Sequence, residues 1–207
     1  MRTSKYITTS CIISNNTVSK DQQQLFRNNG EHDAAAFFLS VYQHFGFNYP
    51  KFYKMDNLSK LGWLAAEVLL KDFDKGLYKN DQVGILMANS NSSLDADLRY
   101  FESISEVPSP ALFVYTLPNI VIGEICIRHG FKGENAFFIQ EQFDTDFIAK
   151  QVNYLFDQDI LQCCICGWVD VLSTEYKAGL FLIEKEQKEG SSTFSKANLD
   201  HLFNQKA

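Results

Sequence analysis

No stretch of this 207-residue chain approaches the ~18 to 20 uninterrupted apolar residues of a membrane-spanning helix, so a helical crossing is not expected. Its first residues, MRTSKYITTSCIIS, offer two basic side chains and a broken apolar run, which make a poor secretory signal. An excess of positive charge is also lacking. Nineteen Lys and Arg stand against 25 Asp and Glu, giving a net charge of −6. That balance argues against a nucleic-acid surface, and any acidic partner would need a local basic patch to approach. The cytoplasm is the expected compartment. Spaced cysteine pairs are missing too. Cys163, Cys164 and Cys166 cluster, but the only others are Cys11 and Cys126, whereas a zinc site needs four ligands in two spaced pairs. The run 160–166 reads as a buried strand, on which adjacent side chains point to opposite faces, so Cys163 and Cys164 cannot readily share a metal. No metal or other cofactor is implied. The sequons Asn15-Asn16-Thr17, Asn57-Leu58-Ser59 and Asn91-Ser92-Ser93 carry no meaning in a cytoplasmic protein.

Aromatic residues are plentiful. They make up 14% of the chain, with 18 Phe, and a chain of this length buries roughly 70% of its unfolded surface. One domain is expected over residues 1–186, followed by a charged tail at 187–207 with a short helix near 196–203. Along the domain, residues 5–14 read as an opening strand bounded by Asn15-Asn16. Residues 22–30 read as a loop or short helix, and 34–42 as a helix. Asp56 is placed to cap a helix over 58–73, with Lys60, Glu67, Lys71 and Asp74 on one narrow polar face. Further strands are expected at 81–88, 136–141, 160–168 and 178–184, a loop at 108–118, and helices at 119–129 and 143–156. The last helix carries Phe143, Phe147 and Tyr154 on one side, and Ile148, Val152, Leu155 and Phe156 on the opposite side. Two opposed apolar faces predict a helix held between two layers.

The most informative stretch is LPNIVIGEICIRHGFKGENAFFIQEQ, residues 117–142. Its Pro118-Asn119, the glycine at 123, the Lys132-Gly133 pair and the strand after them resemble the approach to the nucleophile in β-ketoacyl synthases. Gly167-Trp168-Val169-Asp170 resembles that family's Gly-Gly-x-Asp/Glu, and the segment 178–184 resembles its Gly-Ala-x-x-x-x-x-Leu-Glu strand. The resemblance covers residues 56–186, with 5–14 in looser register, and residues 15–55 match nothing specific. It implies an α/β, thiolase-like layered sandwich, limited to the N-terminal half, with a mixed five-stranded sheet and helices on both faces.

The same resemblance removes the chemistry. Counting from Lys132-Gly133 places Gln142, preceded by Glu141, where the family holds its reactive cysteine. Glu-Gln is also what the family's inactive partners, the chain-length factors or ketosynthase β subunits, carry there. A condensing enzyme needs a thiolate, its pKa lowered at a helix N-terminus, and a glutamine amide only donates and accepts hydrogen bonds. No catalytic residue is therefore expected. Glu134 and the bulky Phe143 depart from the family's Pro and small turn, and Phe143 is placed to fill the acyl space. The two histidines of the family's second half have no counterpart among His32, His44, His129 and His201, and His129 is expected to be solvated.

The resemblance implies a non-catalytic subunit of fatty acid or polyketide-type assembly, similar to those of aryl polyene, flexirubin and aromatic polyketide pathways. Its expected partner is a full-length ketosynthase or a second copy, with an acyl carrier protein engaged only indirectly. The expected contact is the strand Ala136, Phe137, Phe138, Ile139, Gln140 and Glu141, because an open strand edge invites pairing. Two other readings stand beside it: a malonyl-carrier decarboxylase using Gln142, and a scaffold that keeps the fold without a ligand. Should the chain lack its second half, Ile148, Val152, Leu155 and Phe156 need a cover from residues 15–55, from the tail or from another subunit.

Overall fold

The structure, a computed structural model, describes residues 4–30, 33–105 and 107–205. His32 lies outside the described residues. The chain opens as two tight hairpins: β1 (Tyr6–Ser14), β2 (Thr17–Lys20) and β3 (Gln23–Arg27). Asn15 and Asn16 turn the first with φ of 49° and 56°, and Asp21 and Gln22 turn the second with 48° and 67°. Asn and Asp tolerate that left-handed region, and two such residues in a row match the twist of antiparallel strands. Residues 23–27 are thus a strand and not the loop or helix expected for 22–30; the short polar segment is held by β2, not by its own periodicity.

After α1 (Ala34–His44) comes α2 (Asn57–Leu69), whose cap is Asp56, accepting from the Ser59 N–H at 3.0 Å. Burial pushes the Asp56 carboxyl above its ordinary pKa, against the lowering effect of Ser59 and of the Leu58 backbone. β4 (Val83–Asn89) leads to α3 (Leu94–Ile104), α4 (Pro110–Phe113) and α5 (Ile120–His129). The loop expected at 108–118 therefore holds a single helical turn. β5 (Asn135–Ile139), α6 (Thr145–Asp157), β6 (Cys163–Leu172) and β7 (Glu175–Glu184) follow. The tail forms β8 (Ser192–Thr193), paired with β1, and α7 (Lys196–Asn204).

The sheet runs β3-β2-β1-β7-β6-β4-β5. Its contiguous centre and one edge, β1-β7-β6-β4-β5, are the five strands read from the sequence. β2, β3 and β8 extend them to eight among the described residues. β4 pairs parallel with both β5 and β6, and the other pairings are antiparallel, so the sheet is mixed.

Two cores lie on its two faces. Trp63, Phe37, Phe38, Phe52 and the inward sides of α2 and α5 fill one. Ile148, Val152 and Phe156 of α6, with Leu199 and Leu202 of α7, fill the other against Leu86, Cys164, Cys166 and Phe181. The layering of the helices is the reverse of the expectation. α2 is buried almost all round, covered by α1 and the turn at Pro50–Lys54, whereas α6 buries one side and leaves Tyr154 59% exposed. Ile148, Val152 and Phe156 need no outside cover, because the sheet and the chain's own tail supply it.

Candidate functional site

The site is the turn from β5 into α6. β5 lies at the end of the sheet order, hydrogen-bonded on one side to β4, with Ala136 opposite Leu86, Phe138 opposite Ala88 and Ile139 opposite Asn89. Its alternating side chains serve both cores: Phe137 packs on the α2 side and Phe138 on the α6 side, where it meets Phe147 edge-on at 4.9 Å. The ladder reaches one residue further, as the Gln140 N–H donates to the Asn89 carbonyl at 2.8 Å. The chain then bends at Glu141 and Gln142, both exposed, and enters α6. Asp144 caps that helix, accepting from the Phe147 N–H at 2.9 Å, while its own N–H reaches Gln140 Oε1 at 3.4 Å. Strand, turn and helix N-terminus therefore follow one another in the expected order, with the exposed Gln142 amide in the turn.

Phe143 turns away from the bend into the core. Its ring sits 4.7 Å from Phe203, 6.0 Å from Trp168 and 6.4 Å from Phe181, centre to centre. Phe143, next in sequence to Gln142, thus joins an aromatic cluster drawn from β6, β7 and α7. Phe203 belongs to the tail helix, a contribution that no local pattern around Gln142 announces.

Asp170, at the far end of the Gly167-Trp168-Val169-Asp170 run, is a second residue whose work sequence reasoning missed. Its carboxylate accepts from Ser90 N and Oγ at 3.2 and 2.9 Å, and from Asn91 N and Nδ2 at 3.1 and 2.8 Å. It thereby ties the turn after β4 to β6. Buried Asn89 closes the same turn, donating to the Ser92 carbonyl at 2.8 Å and accepting its N–H at 3.0 Å. The available signal was the donor-rich run 89–93 with a lone acidic residue at a strand end.

Among the described residues the histidines do not converge. His44 and His129 end α1 and α5 on one face of the sheet, and His201 is on α7 on the other. His129 is not solvated: its side chain is 7% exposed, and Nε2 lies 2.8 Å from Glu67 Oε1. The sequence reading failed because the partner is on α2, 62 residues away. Burial alone would raise the pKa of Glu67, but the hydrogen bonds and charges of His129 and Arg128 hold it below the ordinary value.

Cys163, Cys164 and Cys166 are buried, and desolvation pushes their thiols up, with Glu184 adding to the effect at Cys163. Among the described residues no group of three or more His, Cys, Asp or Glu is arranged to hold a metal. No helix of the described residues is long and apolar enough to cross a membrane.

No protein-family model and no curated protein matches the sequence. Solved structures do. One is the ishigamide ketosynthase/chain length factor, at a TM-score of 0.64 and 15% identity over 87% of this chain. The fold is the thiolase-like fold of ketosynthases. A second match is AntDE:AntF, a type II acyl-carrier protein in complex with its ketosynthase, at 0.61 and 15% over 89% of this chain. The ketosynthase ApeO in complex with its chain length factor ApeC, from Xenorhabdus doucetiae, matches at 0.56 and 11% over 89%. Against these three the chain spans 62%, 63% and 79% of the matched partner's length. At such identities the likeness is one of fold.

Proposed function

We propose that this chain is a non-catalytic ketosynthase-like subunit that associates with an active ketosynthase in fatty acid or polyketide-type assembly, in the manner of a chain-length factor. The observation that carries the reading is the β5–α6 turn. It keeps the strand-to-helix geometry suited to activating a nucleophile, yet presents Gln142, and Phe143 plugs the space below. An amide has neither the ionisation nor the lone-pair reactivity for acyl transfer. An exposed glutamine also lacks the water-excluded surroundings in which hydrogen bonds stabilise an enolate, which disfavours decarboxylation.

Pairing is the remaining use of the retained fold, and the edge strand 135–139 offers it. Two of the matched structures pair a ketosynthase with a chain length factor, which supports a same-fold partner, and a third holds a ketosynthase with its acyl-carrier protein, which supports a carrier one step away. The pathway assignment, aryl polyene or otherwise, belongs to the partner.

The test has two arms. Incubation of the purified chain with an acyl-carrier thioester should leave its intact mass unchanged, and co-expression with a ketosynthase from the same genome should yield a complex of the two. A stoichiometric acyl adduct within residues 136–148 would overturn the reading, as would failure of every such ketosynthase to bind.

A further inference from the structure

β1 carries a notch on the side away from β7. β2 pairs with it only from Cys11 onward and β8 only at Tyr6 and Ile7, so residues 8–10 lie between two neighbours that stop short. On its other side β1 slips register against β7 between Ile7 and Thr9. Such bulges re-aim side chains and recur beside binding sites. Thr8, Thr9 and Ser10 all line one cavity of about 140 Å³.

Three other segments close that cavity. The β2–β3 turn supplies Asp21 and Gln22, the stretch before β8 supplies Gly190 and Ser192, and α7 supplies Asn198, His201 and Leu202. Asp21, Gln22 and Gly190 all stand in the left-handed region, with φ of 48°, 67° and 77°. Asp21 Oδ1 accepts from the Ser10 N–H at 2.7 Å, and Asn198 Nδ2 donates to the Thr193 carbonyl at 2.7 Å. Gln205 Nε2 lies 2.8 Å from His201 Nε2 and donates to Gln22 Oε1 at 3.3 Å, which bridges α7 to the turn. A smaller cavity of about 70 Å³ continues past this bridge along Ser19 and Gln24. These bonds leave groups over. Among the described residues, Asp21 Oδ2, Asn198 Oδ1 and the hydroxyls of Thr9 and Ser192 have no hydrogen-bond partner.

We propose that this cavity binds a small neutral polyhydroxylated molecule, a sugar or polyol of about one ring's size. Charge is the first argument. Among the described residues no Lys or Arg lines either cavity, and the carboxylate of Asp21 repels phosphates and carboxylates. The lining is the second. A free carboxylate oxygen and a free amide oxygen accept from hydroxyls, while the Thr9 and Ser192 hydroxyls both donate and accept, as each hydroxyl of such a ligand does. Ile7 and Leu202, both buried, give an apolar wall for its C–H groups. Size is the third. The volume of about 140 Å³ is roughly ten times what a single water needs and below the ~300 Å³ at which drug-sized sites begin. β7, β6 and β4 separate β1 from β5, so the inference rests neither on the Gln142 turn nor on ketosynthase pairing.

Titration of the isotope-labelled full chain with D-glucose and with sorbitol, followed by amide NMR, tests it. At least one of the two should shift the Ser10, Gln22, Ser192 and Asn198 amides saturably. The expected Kd is on the order of 1–10 mM, the range open to a ligand of about twelve non-hydrogen atoms. Thr9→Val with Ser192→Ala removes both free hydroxyls and no hydrogen bond within the chain. Affinity should then fall at least roughly tenfold, while Tm stays within about 2 °C of wild type. Ser192→Ala alone, on the short strand β8, should weaken binding roughly threefold to tenfold and serves as the readout should the pair fold poorly. No saturable shift at those amides with either probe up to about 100 mM overturns the proposal. So does a variant that binds as tightly as wild type. A tighter response to inorganic phosphate than to both polyols shows an anion site and overturns it as well.

Discussion

Replacing Gly167 by alanine should be among the most damaging single changes in this chain, although it adds one methyl group. Gly167 lies on β6 between β4 and β7, with φ of 153°, in a region that side chains rarely adopt. A Cβ there would come 1.9 Å from the Gly179 carbonyl oxygen and 3.0 Å from its carbon. Both are backbone atoms of the paired strand, so no flexible side chain can yield, and β6 cannot shift away because β4 holds its other side. Overpacking costs about 1–3 kcal/mol and a sparsely populated backbone conformation about 1–3 more, so roughly 4 kcal/mol together is expected. For a chain of this size that is a fall of about 8–16 °C in Tm. The companion change is Gly123→Ala on α5, where no atom lies within 4 Å of the new carbon. Alanine there should stabilise by about 0.5–1 kcal/mol through helix propensity, raising Tm by roughly 1–4 °C. Scanning calorimetry of both variants gives opposite signs if the packing is as described. A Gly167→Ala protein melting within about 3 °C of wild type would refute the close β6–β7 approach.

Gln142→Cys should not restore condensation by the isolated chain, since Phe143 and its aromatic neighbours still fill the site; radiolabelled product from that single variant would show the site to be open. Asp170→Ala removes the acceptor of four hydrogen bonds and should destabilise by about 2–3 kcal/mol in denaturant titrations, with Ser90 and Asn91 amides losing hydrogen-exchange protection; unchanged protection would contradict the locked turn. The depressed pKa of Glu67 means that its stabilising contribution is present above the unfolded value near ~4.3 and is lost as pH falls through the folded value. The stability gap between wild type and Glu67→Gln should therefore narrow below about pH 4, and a gap that widens on acidification counts against the pairing. Native thiol titration should find Cys126 first and the four buried cysteines only after denaturant; prompt reaction of all five would refute their burial.

Much of the fold was legible because neighbouring residues encode it. Asp56 before an apolar helix, Asn15-Asn16 after a β-branched strand and the runs that became β4, β6 and β7 each state a local preference. The count from Lys132-Gly133 put Gln142 between a strand and a helix, and it lies in the turn between β5 and α6. What tertiary structure decided is which surface each element meets. Nothing near Gln142 reveals that Phe203, about 60 residues on, packs against Phe143. The apolar arcs of α3 and α6 look alike in sequence, yet α6 lies on the sheet and α3 turns its arc outward, because Asp95 is held inside by Asn57 and the Ser173 N–H. His129 reads as a surface residue until α2 brings Glu67 to it. Phe138 reads as part of an open contact strand, but its ring is packed on Phe147 of α6, and Ile139 is the exposed edge side chain. Periodicity says that a face is apolar. Only contacts between residues distant in the chain say what covers it.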